Sequence, residues 1–149
     1  MIAVKTLYET DFSLWLEETA TLLKEGKLER LDIEHLIEEI EGMSRSEKDA
    51  VESNLIRVMQ HLLKWQHQAE KRSPSWAYTI IEHSRRLNKS FQHSPSLKRH
   101  FDNVFDECYE SACKAASVET QLPLVTFPKS CPFSKSEVLE INSDDYLIG

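Results

Sequence analysis

The sequence predicts an all-α fold: a single-domain bundle of four long helices plus one or two short ones, with an extended Pro-rich C-terminal segment. Three observations carry that prediction. Apolar residues recur at helical spacing in five separate stretches. Only three Gly and five Pro occur in 149 residues, which leaves long runs free of helix breakers. Cap residues stand where each stretch begins.

The first helix is expected over 11–25. Asp11 is its N-cap, Phe12, Trp15, Leu16, Leu22 and Leu23 share a face, and Gly26 supplies the stop. A short helix follows over 33–41, starting at Asp32, with Ile33, Leu36, Ile37 and Ile40 as its stripe and Glu34, Glu38, Glu39 and Glu41 around the rest. Gly42 marks an end or a kink there. Ser44-Arg45-Ser46-Glu47 has capping-box spacing, so a third helix is expected to restart and run over 46–68.

That third helix contains the stretch on which the bundle is centred, Leu55 to Trp65. Its seven apolar residues sweep roughly half the helix circumference at ~100° per residue. Arg57, Gln60, His61 and Lys64 fill the other side. So wide an apolar arc needs neighbours on more than one flank, and this helix is expected at the centre.

Ser73-Pro74 pairs a cap with Pro at the first helical position, opening a helix over 75–92 in which Glu82 can pair with Arg86. Ser94-Pro95 repeats the signal for a helix over 96–118. Leu122 to Pro128 is too Pro-broken for a helix and is expected to wrap the bundle in extended form. Ser134-Lys135-Ser136-Glu137 caps a short last helix, and 141–149 reads as a tail. Trp15, Leu36, Ile40, Leu55, Val58, Leu62, Trp65, Trp76, Ile80, Leu87, Phe101, Val104, Phe105 and Cys108 are expected to form one contiguous core.

Successive blocks of the chain resemble one family. They are Leu7-Tyr8-Glu9-Thr10-Asp11-Phe12 with Trp15-Leu16-Glu17, then Leu36 to Glu41 and Arg45-Ser46-Glu47. His61 to Trp65, Ser73 to Trp76, Ser94 to Leu97, and Leu122-Pro123 through Phe127-Pro128 to Cys131-Pro132 continue the series. In order, over about 7–140, they resemble the bacterial, largely cyanobacterial family known only as domain of unknown function 29. Many members of that family carry Pro after the Trp-Gln pair of the central helix. Here the stretch reads Gln66-His67-Gln68-Ala69, which lengthens the helix. The resemblance implies an all-helical domain in a bacterial cytoplasm, and it brings no activity, cofactor or catalytic residue.

Net charge is −7, unevenly spread. Arg57 to His100 holds nine Lys or Arg against two Glu, and five of the six His. No apolar run approaches the ~20 residues that span a bilayer, and no secretory pattern opens the chain, so a cytoplasmic setting without membrane contact is expected. Cys108, Cys113 and Cys131 suggest neither a disulfide nor a metal pair and read as small buried thiols.

Three functional readings follow. The preferred one is a protein-interaction or scaffolding module acting through a helical surface, with a protein partner or a second copy of itself as a homodimer. The second is a metal-dependent or acid/base enzyme using Glu38, Glu41, His61 and His83 at the bundle centre. The chain lacks the paired Glu-x-x-His of di-metal bundles, so no metal and no cofactor is assigned. The third is a nucleic-acid surface in which Trp65, Trp76 and Tyr78 interleave with Lys64, Lys71, Arg72, Arg85, Arg86 and Lys89. The overall negative charge and the absence of a recognition motif argue against it. One polar cluster is expected to gather Glu38, Glu41, His61, Trp65, Trp76, His83, Arg85 and Arg86. Within it Glu38 or Glu41 would neutralise Arg85 or Arg86, because a carboxylate near a core needs a partner.

Overall fold

A computed structural model describes residues 3–148. Six α-helices and four single 3₁₀ turns make up its regular structure, and no strand occurs among the described residues. The helices are α1 (Val4–Thr10), α2 (Phe12–Lys24), α3 (Ile33–His67), α4 (Pro74–His93), α5 (Leu97–Thr120) and α6 (Lys135–Leu139). The all-α expectation holds. No helix among the described residues is long and apolar enough to cross a membrane. The chain divides into two compact units, the first ending at Ser46 and the second beginning at Glu47.

In the N-terminal unit, local signals act as the sequence predicts. The Asp11 carboxylate accepts from the Leu14 N–H at 3.1 Å and starts α2. Gly26, at φ +70°, ends it. Its N–H reaches the Leu23 carbonyl while the Lys27 N–H reaches that of Leu22, the paired closure that a left-handed residue permits. Helix α1 was not expected. No side chain caps it and only Leu7 on it is buried, so neither a cap nor a stripe announces it.

Helix α3 departs most from expectation. The two helices predicted over 33–41 and 46–68 are one helix of 35 residues, about 52 Å long. Gly42 does not end it. A glycine weakens a helix by roughly 1 kcal/mol but keeps its N–H in the ladder, and no Pro follows to break it. Because the helical phase runs on unbroken, Ile40 is 55% exposed and Leu36 only half-buried. Neither is the core residue that the sequence suggested.

The C-terminal unit is built around the second half of α3. Every residue from Val58 to Trp65 is buried, polar ones included, so this segment is enclosed on all sides. Val51, Leu55, Val58, Met59, Leu62 and Leu63 pack in one cluster with Ile80, Leu87 and Phe91 of α4 and with Phe101, Val104, Phe105 and Cys108 of α5. That cluster draws on the C-terminal unit alone, and Trp15, fully buried, belongs to the N-terminal unit. The expected single core is therefore not one cluster.

Ser73 caps α4 through the Trp76 N–H at 3.2 Å, as predicted. Ser94 does not cap α5: residues 94–96 form a turn, and the Ser94 hydroxyl lies 3.5 Å from Glu47 instead. The Pro-rich stretch is held down at Phe127, which is buried, and at Pro128, whose carbonyl accepts from the Tyr109 hydroxyl at 2.5 Å. Ser134 caps α6 through the Glu137 N–H. The last carbonyls of α6 are met by α4. Ser84 donates to that of Val138 at 2.6 Å, and Asn88 to that of Leu139 at 2.8 Å.

Candidate interaction surface

The N-terminal unit has a compact polar-aromatic knot and an uncovered apolar face. In the knot, the Trp15 indole N–H donates to Asp32 at 3.2 Å, and the same carboxylate oxygen lies 2.6 Å from Nδ1 of His35. Tyr8 stacks on His35 at 3.8 Å between ring centroids, meets Trp15 edge-on, and donates its hydroxyl to Glu39. Burial works against a charge on Asp32, but the hydrogen bonds from His35 and Trp15 outweigh it and hold the carboxyl below its ordinary value. The Glu39 carboxylate pushes the Tyr8 hydroxyl up to about 12.

The apolar face is what the unbroken phase of α3 leaves outside. Ile33, Ile37, Ile40 and Met43 recur every three or four residues and are each 50% to 61% exposed. On α2, Phe12, Leu16 and Leu23 form a second stripe, each between 43% and 48% exposed. Glu34, Glu38 and Glu41 lie along one flank of the α3 stripe and are all exposed. Glu34 meets Lys5 at 3.3 Å, whereas Glu38 and Glu41 form no ion pair among the described residues.

The other residues of the predicted cluster belong to the C-terminal unit, where each has a local partner. His61 is buried, with Nδ1 3.0 Å from the Arg57 carbonyl. Burial, reinforced by the charge of Lys64, lowers its pKa below the ordinary histidine value. Lys64 is only 3% exposed and donates to Glu119, which also accepts from Gln60. The Lys64 ammonium sits 4.3 Å over the Trp76 ring. Arg72 donates to the Trp65 carbonyl at 2.8 Å and covers its ring, and Tyr146 packs beside it. His83 lies 2.7 Å from the Asn54 side chain, and burial together with Arg86 and Arg57 depresses its pKa.

Arg85 and Arg86 both hydrogen-bond Glu82, four residues before Arg86 as the sequence suggested. The Arg85 hydrogen bonds, with those of Arg86, take the Glu82 carboxyl down to about 2. The structure thus brings His61 and Trp76 to Lys64 and gives Arg85 and Arg86 the acid Glu82, while Glu38 and Glu41 stand exposed on the other unit. The sequence reading missed Glu119. It is the lone acid in the last ten residues of α5, three residues after the buried Ala116, and nothing in its spacing points to Lys64.

Among the described residues, no three His, Cys, Asp or Glu side chains are placed to hold a metal ion. An open groove of about 680 Å³ runs between α5 and the 124–129 segment, lined by Tyr109, Cys113, Leu124, Val125 and Phe127 with Lys114 and Lys129 among the lining residues. It contains none of the residues of the predicted cluster.

The family model for Domain of unknown function DUF29 matches residues 7–144, covering both units. The chain belongs to this family. No curated protein and no solved structure matches it. The match runs through the knot residues Tyr8, Trp15, Asp32 and His35 and through Lys64 and Glu119 alike.

Proposed function

We propose that this chain is a protein-interaction module whose contact surface is the uncovered apolar face of the N-terminal unit. One observation carries the reading: seven of the fifteen exposed large apolar side chains among the described residues fall in two helical rows, Phe12, Leu16 and Leu23 on α2 and Ile33, Ile37, Ile40 and Met43 on α3. Scattered exposed hydrophobics are ordinary, but a run of them at helical spacing marks a surface made to be covered. In the C-terminal unit, Lys64, Arg72, Arg85 and Arg86 are engaged by Glu119, the Trp65 carbonyl and Glu82. That internal engagement speaks against a nucleic-acid surface, which needs its cations free for phosphate.

A photoreactive amino acid placed at Ile40 tests this in cells that make the protein naturally, with Ser111, exposed on α5, as the control position. A discrete protein adduct is expected from position 40 and none from position 111. Ile33→Ser and Ile37→Ser should remove the adduct while the helical dichroism is unchanged. Equal labelling at both positions, or none at position 40, would overturn the reading.

A further inference from the structure

We propose that the partner docks on this face as a basic amphipathic helix. The inference rests on the interaction reading and names the chemistry of its partner. Ile33, Ile37, Ile40 and Met43, the exposed row of α3, repeat at intervals of four, three and three residues. That is the spacing of a helix seam. The seam spans about 15 Å of helix, roughly three turns, and a second helix of similar length presents knobs at the matching interval.

Charge decides between possible helices. The N-terminal unit carries eleven acidic residues against five basic ones, a net of −6. Glu38 and Glu41 border the seam without an ion-pair partner among the described residues. A partner that covers the seam also strips water from these carboxylates, and only Lys or Arg along its own edge offsets that loss. A second copy of the same face would set −6 against −6 and Glu flank against Glu flank, so self-association through it is disfavoured. The fitting partner is a helix of three to four turns, with apolar residues at i, i+3 or i+4, and i+7, and Lys or Arg on one side.

Three fluorescein-labelled 18-residue peptides test this by anisotropy on the full chain: a Leu/Lys amphipathic helix, the same helix with Glu for Lys, and a scrambled Leu/Lys sequence. The Leu/Lys helix is expected to bind, more weakly as salt rises, and the other two are not. Glu38→Lys with Glu41→Lys should weaken binding by about tenfold. Ile37→Ser with Ile40→Ser, which adds no charge, should abolish it, and dichroism confirms that both variants remain folded. Equal binding of the Glu peptide, or no effect of charge reversal, would overturn the basic-helix proposal. A dimer in sedimentation that Ile37→Ser disperses would assign the face to a second copy and overturn it too. If the Leu/Lys helix fails but the Ile40 adduct forms, the partner's chemistry is wrong and the interaction reading stands. If the adduct also fails, both fall.

Discussion

The indole of Trp15 donates to the carboxylate of Asp32 at 3.2 Å, joining two residues seventeen positions apart inside the N-terminal unit. Asp32 also receives the His35 N–H at 3.4 Å, so one buried side chain caps α3 and satisfies a buried indole. Asp32→Ala leaves the indole unpartnered and the cap missing, which should cost about 1–3 kcal/mol. Thermal unfolding followed by tryptophan emission measures it. A loss below ~0.5 kcal/mol would show that the indole finds another acceptor.

Lys64 and Glu119 allow a directional test. Lys64→Met replaces the buried ammonium with an apolar side chain of similar length, and it should change stability by less than about 1.5 kcal/mol. Glu119→Ala leaves Lys64 buried and uncompensated, and should be the more damaging change, at about 1–3 kcal/mol. The low end of the breaking cost applies because Glu119 is 44% exposed to solvent. Urea denaturation of the two variants gives the order, and the reverse order would refute the argument.

Acid should weaken the C-terminal unit before it reaches the carboxylate range. His61 and His83 both have depressed pKa values in the fold, from burial and from the facing charges of Lys64, Arg57 and Arg86, which Glu119 and Glu82 offset only in part. The unfolded chain therefore takes up protons that the folded one refuses, and stability rises with pH in that range. The contribution is complete above about pH 6.5 and is lost as pH falls below it. His61→Gln with His83→Gln should flatten the profile between about pH 6.5 and 5. An unchanged slope would remove these histidines as its source.

Residues 43–50 of α3 are all exposed, and apart from the Ser94–Glu47 contact local propensity holds them helical. Gly42 sits at their start in ordinary helical geometry, and an added Cβ would meet only the Arg45 guanidinium, at 3.7 Å. Gly42→Ala should stabilise the chain by about 0.5–1 kcal/mol. Amide exchange of 43–50 should be faster than that of 58–65 and should slow in the variant. Equal protection of the two stretches in the parent chain would contradict this.

Helix positions were legible wherever a side chain makes the cap, as Asp11, Ser73 and Ser134 do. They were illegible where no side chain caps, at α1, or where a weak breaker is overridden, at Gly42. The core of the C-terminal unit was readable from the apolar arc of 55–65, because burial there follows hydrophobicity. The exposure of Ile40 was not, because a stripe tells which face is apolar and not whether anything covers it. Long-range polar pairs were invisible for a related reason. Glu119 meets Lys64 across 55 positions, and spacing carries no information at that range.

Lys64 gives the molecule a chemical clock. An acylating reagent reacts with an amine only when it can reach it, and this one is 3% exposed and held by Glu119. Surface amines such as those of Lys71 and Lys89 should be consumed at once, leaving Lys64 to react at the pace at which its part of the fold opens. The slow component of amine labelling is then a direct reading of how often the centre of the C-terminal unit comes apart, taken without denaturant.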